Sequence, residues 1–95
     1  MLEFKNQESA LTWIKGRNKR MLFINMQVCT ACKEYKENEL YPWIEKTLAK
    51  DWQFAEIHHD DWQLFADKFP KLSGSHIIPL GAPLPITYLN SLLEI

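Results

Sequence analysis

The stretch MLFINMQVCTACKEY, residues 21–35, joins an apolar run to a charged segment through two cysteines. The run Met21–Met26 is too short for a buried helix and too apolar for an exposed strand, so it predicts a strand that is covered on both faces. From Thr30 onward the residues are charged and favour a helix. Cys29 and Cys32 are the only cysteines of the chain and lie where the two elements meet. The stretch therefore predicts a strand, a CxxC pair and a helix in direct succession.

Length and composition limit the classes of protein to which this chain can belong. Its 95 residues, of which 46% are hydrophobic and 24% charged, predict a single globular domain over residues 1–95. The net charge of −1 gives no indication of a nucleic-acid partner. No stretch offers the roughly 20 apolar residues of a membrane span, and the N-terminus lacks the apolar core of a signal peptide. We therefore expect a protein without membrane insertion, which is cytoplasmic if the chain is complete as written.

Hydrophobic periodicity and the positions of proline and glycine predict the remaining elements. Helices and strands alternate, and this alternation implies parallel strand pairing through right-handed crossovers. The predicted elements are a helix over about 7–15, a helix over about 30–40 with a kink or restart at Pro42, a strand over 52–57, a helix from Asp60 or Asp61 to Phe69, a loop over 71–84 and a strand over 86–89.

The position of the cysteines favours a redox pair. In parallel sheets chemistry collects at the carboxyl ends of the strands, where the following helix presents free N–H groups. The positive end of that helix favours a thiolate at Cys29, which we expect to be accessible, and Lys33 adds a nearby positive charge. We expect Cys32 to lie one turn into the helix and to be better shielded. Two cysteines are too few for a disulfide scaffold, so the prediction is chemical use of the pair.

A metal site is the alternative use of two cysteines. Zinc would need two more ligands, and His58, His59, Asp60 and His76 are available. Their distance from the cysteines along the chain does not match the usual zinc-finger spacings. Adjacent strand residues also point to opposite faces, so we expect that His58 and His59 do not share one ion. The prediction is a redox pair with neither metal nor cofactor, and a zinc-binding module or an inert buried pair stays open.

Three segments together resemble the thioredoxin fold: MLFINMQVCTACKEYKENEL, WQFAEIHHDD and PLPITYL. The stretch CTACKEYKENELYPWIEKTLA is similar to the C-terminal thioredoxin-like domain of the bacterial transmembrane thiol:disulfide interchange reductase and to related CxxCK proteins. The resemblance covers roughly residues 7–90. It implies an α/β thioredoxin-like fold with a central mixed sheet flanked by helices, and a periplasmic or exported protein whose leader has been removed. It also leaves open that the closing hairpin and helix of the fold are missing.

The resemblance implies roles for three residues. Cys29 would attack a disulfide, Cys32 would resolve the mixed disulfide, and Pro85 would be the cis-proline that sets main-chain groups against the substrate. Thr30 and Ala31 stand where thioredoxins have Gly-Pro. Because this intervening pair strongly influences the redox potential, the direction of electron flow stays open.

Phe23 stands where many thioredoxins hold a buried aspartate that shuttles the proton of the resolving thiol. Glu56 on the next strand is a candidate replacement for this acid, and an acid facing solvent is the alternative. His58 follows at the same strand end and is a second candidate modulator of the cysteines.

The sequence thus predicts an enzyme, a thioredoxin-like thiol:disulfide oxidoreductase that takes part in cell redox homeostasis. Its partners would be protein disulfides or dithiols and an upstream electron donor or acceptor. A non-catalytic binding or scaffold module with the same fold is the alternative. The oligomeric state is open.

Overall fold

The computed structural model describes residues 1–65 and 68–93, with Ala49 described through its backbone only. Four strands form one sheet in the order β1-β3-β2-β4, and every pairing between them is parallel. The fold class α/β is therefore confirmed, whereas the mixed sheet implied by the resemblance is wrong for the described residues. The strands are β1 (Leu2–Phe4), β2 (Arg20–Asn25), β3 (Gln53–His58) and β4 (His76–Leu80).

Strand β2 is the covered strand that the apolar run predicts. Met21 to Ile24 are buried, and β2 pairs with β3 on one side and β4 on the other. Successive side chains point to opposite faces of a sheet. Met21 and Phe23 accordingly join one core cluster with Cys32, and Leu22 and Ile24 join a second cluster with the first helix. The sheet therefore has a cysteine face and an opposite face, both covered.

Helix α1 (Gln7–Lys15) covers the face opposite the cysteines, with the bounds that the sequence predicts. Asn6 caps it, since its side-chain oxygen accepts a hydrogen bond of 2.8 Å from the Ser9 N–H. Ala10 and Ile14, four residues apart, are its buried positions and pack in the cluster of Leu22.

The segment after the CxxC pair is helical but changes its winding. Helix α2 (Cys32–Tyr35) passes into a π-helical turn over Lys36–Leu40, and helix α3 (Tyr41–Thr47) begins with Pro42 in its first turn. Proline lacks an N–H and is tolerated only at a helix start, so a wider turn directly before it lets the helical direction continue. The predicted restart at Pro42 is confirmed. A 3₁₀ turn over Leu48–Lys50 closes the segment.

The predicted helix from Asp60 or Asp61 to Phe69 is wrong over the residues that the structure describes. A 3₁₀ turn, His59–Asp61, follows β3, and Trp62 is extended. Residues 63–65 are not helical, and Lys68 lies in a 3₁₀ turn, where its N–H donates a 2.9 Å hydrogen bond to the Phe65 carbonyl. The extended segment still buries Trp62 and packs Leu64 against the second core cluster, so these apolar side chains reach the core without a helix. The Oε1 of Gln7 accepts hydrogen bonds of 2.9 and 3.1 Å from the backbone N–H groups of Gln63 and Leu64 and ties this segment to α1. Ala66 and Asp67 of the predicted helix lie outside the described residues.

The C-terminal predictions are also corrected. The predicted loop over 71–84 contains β4, in which Ile78 and Leu80 are buried. Pro79 is tolerated because β4 is an edge strand. The predicted strand 86–89 is instead part of helix α4 (Ile86–Leu92), which buries Leu89. Pro85 is the residue before this helix, and its peptide bond is trans, since the described residues contain no cis peptide bond.

Strand β1 is an element that the sequence analysis missed. It has three residues, pairs with β3 at the edge of the sheet and buries only part of Phe4. So short a strand carries no hydrophobic alternation that a sequence can reveal. Among the described residues no helix has the length and apolar character that crossing a membrane requires.

Candidate functional site

The two cysteines form a disulfide at the carboxyl edge of the sheet. Cys29 follows the end of β2 by four residues, and Cys32 is the first residue of α2. Their Cα atoms are 5.3 Å apart, within the range of ordinary disulfides. Cys29 is partly exposed, whereas Cys32 is only 4% exposed and belongs to the core cluster of Phe23. The pair thus presents one sulfur outward and holds the other inside.

An open cleft of about 390 Å³ gives access to this disulfide. Three of its lining residues are the last residues of their strands: Asn25 of β2, His58 of β3 and Leu80 of β4. This is the edge of a parallel sheet at which ligand sites are expected. The remaining lining residues come from the turn after β2 and from the helical segment: Met26, Gln27, Cys29, Cys32, Lys33, Lys36, Glu37 and Tyr41.

The start of α2 affects the two sulfur atoms differently. Its N-cap residue, Ala31, has no side chain that could cap the helix, so the positive end of the helical segment stays available to an anion. Cys29 lies within one turn of this end, and its carbonyl accepts a 3.3 Å hydrogen bond from the Cys32 N–H. The surroundings of Cys32 are largely apolar, and the nearest polar contact of its sulfur is the Leu80 carbonyl at 3.9 Å. Apolar surroundings disfavour a buried thiolate, whereas the helix start favours one.

A hydrogen-bonded acid stands behind the cleft. Glu56 lies on the cysteine face of β3, and its Oε2 accepts hydrogen bonds from Asn25 Nδ2 at 3.1 Å and from the Tyr41 hydroxyl at 3.5 Å. Burial, and secondly the negative charge of Glu56, raise the pKa of Tyr41, so this hydroxyl keeps its proton and donates a hydrogen bond to the carboxylate. Glu56 is therefore connected to the cleft through two of the residues that line it.

Sequence reasoning missed Asn25 and Tyr41. Asn25 is the one polar residue in the run Met21–Met26 and ends β2, so its position in the sequence could have identified it as a candidate site residue. Tyr41 offers no comparable signal, because its place beside Glu56 depends on the π-helical turn that sets the direction of α3.

His58 and His59 do not point to opposite faces of the sheet, although the sequence predicts that they do. The rings of His58 and His59 are 4.4 Å apart between centroids, because β3 ends at His58 and His59 begins a turn instead of continuing the strand. The expectation that they point to opposite faces is wrong. His76 is the first residue of β4, stacks on Trp52 and contacts the Leu92 carbonyl, so it lies at the opposite end of its strand from the cleft.

The remaining predicted residues are Thr30, Ala31, Lys33 and Pro85. Thr30 and Ala31 are exposed between the cysteines, and Lys33 lines the cleft. Pro85 is exposed at the start of α4 and is absent from the described lining of the cleft. Its peptide bond is trans, so the prediction of a cis-proline is wrong, and the preceding residue, Leu84, packs against the core cluster that contains Cys32.

Comparison with known proteins adds no relative. No protein-family model matches the chain. No curated protein is significantly similar to it, and no solved structure is either.

Proposed function

We propose that this protein is a thiol:disulfide oxidoreductase with a thioredoxin-like fold. The observation that carries the proposal is the Cys29–Cys32 pair itself, in which a partly exposed sulfur and a buried one meet at a helix start. The disulfide lines a cleft at the carboxyl edge of a parallel sheet. This arrangement suits a reaction in which one sulfur meets the substrate and the other waits behind it.

The reaction in the reducing direction is an exchange of two electrons. The Cys29 thiolate attacks one sulfur of a substrate disulfide, and the other substrate sulfur leaves as a thiolate that takes up a proton. The Cys32 thiolate then attacks Cys29 in this mixed disulfide and releases the second substrate thiol. The products are a substrate dithiol and the Cys29–Cys32 disulfide. A partner reductase or a membrane donor returns two electrons and two protons, and the reverse sequence oxidises a substrate dithiol.

The surface around Cys29 supports a polypeptide substrate. Val28 is 79% exposed directly beside Cys29, and Met26 is exposed at the wall of the cleft. Thr30 and Ala31 are small and exposed, so they leave the outer sulfur uncovered. Exposed apolar side chains next to a reactive thiol offer contacts to a protein chain that a small polar thiol does not use.

In this proposal Glu56 is a positioning residue that acts on the cysteines through its hydrogen-bond partners. It lies on the cysteine face of the sheet, and its two partners, Asn25 and Tyr41, line the same cleft as Cys32. Through Asn25 and Tyr41 the carboxylate of Glu56 influences the protonation of the Cys32 thiol. Phe23, which stands where many thioredoxins hold a buried aspartate, has no polar group that could do so.

The Glu56→Gln variant tests this role. We expect it to change the pH profile of disulfide reduction, because an amide cannot take up or lose a proton. The measurement is the reduction rate between about pH 5 and 9, a range that includes the pKa of an ordinary thiol. Glu37→Gln is the matched control, since Glu37 also lines the cleft but is exposed. Identical pH profiles for Glu56→Gln and the unchanged protein would contradict the role.

A second candidate, a non-catalytic binding module, is favoured by one observation. The peptide bond of Pro85 is trans, whereas the resemblance implies a cis-proline that sets main-chain groups against the substrate. The reduction of insulin by dithiothreitol separates the two candidates. Acceleration over dithiothreitol alone supports the enzyme, and its absence in folded, reduced protein supports the binding module.

A further inference from the structure

The turn after β3 holds a compact set of metal-ligating groups. One ligand atom from each of His58, His59 and Asp60 lies within 4.8 Å of the other two. We propose that these three residues bind a divalent transition-metal cation of the Zn²⁺ class. The three groups form this set without either cysteine, so the site differs from a zinc centre built on the CxxC pair.

The distances suit one ion. His59 Nε2 is 2.8 Å from one carboxylate oxygen of Asp60, and His58 Nδ1 is 3.5 Å from the other. Ligands at about 2.0–2.1 Å around a tetrahedral ion are separated from each other by about 3.3–3.4 Å. Small rotations of the three side chains therefore bring them to the coordination distances. In the structure the Asp60 carboxylate lies close to both imidazoles.

The backbone holds these groups together. The Trp62 N–H donates a 3.1 Å hydrogen bond to the His59 carbonyl and closes the 3₁₀ turn. The Asp60 N–H donates a 3.2 Å hydrogen bond to His58 Nδ1, a contact that coordination through this nitrogen would replace. A short closed turn thus orders three consecutive ligands, which reduces the entropy that binding must overcome.

The donor set selects the class of cation. Two imidazole nitrogens and one carboxylate oxygen suit Zn²⁺ or Co²⁺, whereas Ca²⁺ and Mg²⁺ prefer sites made of oxygen atoms. His58 and Asp60 are exposed, so water completes the coordination. Because His58 also lines the cleft of the cysteines, the bound cation lies at the wall of that cleft.

The test uses the oxidised full chain, in which the Cys29–Cys32 disulfide withholds both thiolates. Binding of Zn²⁺ alone is measured by calorimetry, and that of Co²⁺ alone by its visible absorption. We expect one ion per chain and a loss of affinity of about tenfold or more for His58→Gln, His59→Gln and Asp60→Asn. Asp61→Asn is the matched control, since Asp61 is an adjacent carboxylate outside the set, and it should keep the affinity.

Three results would overturn the site. They are the absence of binding by the oxidised chain, binding that survives the exposed-residue variants His58→Gln and Asp60→Asn, and binding that appears only after reduction. The last would assign the metal to the cysteines. Circular dichroism of each variant shows that a loss of affinity is not a loss of fold. These results are independent of insulin reduction, so the site and the proposed function can fail separately.

Discussion

Cys29→Ser is expected to lower the rate of insulin reduction to that of dithiothreitol alone, whereas Cys32→Ser is expected to accumulate a covalent protein–substrate adduct. The difference follows from the positions of the two sulfur atoms. Cys29 is partly exposed, whereas Cys32 is buried against Leu80 and the core. Without Cys29 no attack begins. Without Cys32 the attack occurs, but the internal thiol that releases the substrate is missing.

The measurement is non-reducing electrophoresis after each variant, in its reduced form, meets a disulfide-containing protein. The adduct of Cys32→Ser should disappear on addition of dithiothreitol, which identifies it as a mixed disulfide. The double variant with both cysteines replaced is the control and should form none. Equal amounts of adduct with Cys29→Ser and Cys32→Ser would mean that the order of the two thiols is wrong.

The parts of the fold that could be predicted are those in which local pattern and burial agree. The run Met21–Met26 is apolar except for Asn25 and supplies most of β2, an inner strand of the sheet, and the spacing of Ala10 and Ile14 gives α1 its buried side. The C-terminal stretch lacks this agreement. The four residues Ile86–Leu89 by themselves fit a strand. The structure instead has a helix over the longer segment Ile86–Leu92, and this helix buries Leu89. Short apolar runs do not distinguish the two periods.

The segment after β3 shows a different reason for failure. Its apolar spacing from Trp62 to Phe69 fits a helix, but Trp62 and Leu64 pack against the core cluster from an extended segment. The Gln7 side chain, more than fifty residues earlier in the sequence, binds the N–H groups of this segment. Such a contact is a product of the folded chain and has no local signal. Propensity is overridden in these cases by tertiary context.

The candidate site divides in the same way. The CxxC spacing and its place between strand and helix are local properties, so the sequence predicts where the cysteines lie. The network of Glu56, Asn25 and Tyr41 joins three separate elements and can be recognised only when they are assembled. The juxtaposition of His58 and His59 depends on where β3 ends, and a strand end is the least certain feature of a sequence-based prediction.

Phe23 is the residue of the cysteine face whose removal should affect the protein most. It is 1% exposed, lies in the middle of the central strand and packs near-parallel to Phe54 with 6.5 Å between ring centroids. It shares a core cluster with Cys32. In the sheet Phe23 is paired with Glu56 of β3 on one side and with Ile78 of β4 on the other, so both neighbouring strands border the space that it fills.

Phe23→Ala should therefore lower the free energy of unfolding by about 3–5 kcal/mol, because it removes buried apolar contacts and leaves a cavity between packed strands. Small domains have about 5–15 kcal/mol in total, so the variant loses a large part of its stability. Urea denaturation followed by tryptophan fluorescence measures the change. Phe65→Ala is the matched control, since Phe65 is 69% exposed and its removal should cost less than about 0.5 kcal/mol. Equal losses in the two variants would show that Phe23 does not support the sheet beneath the cysteines.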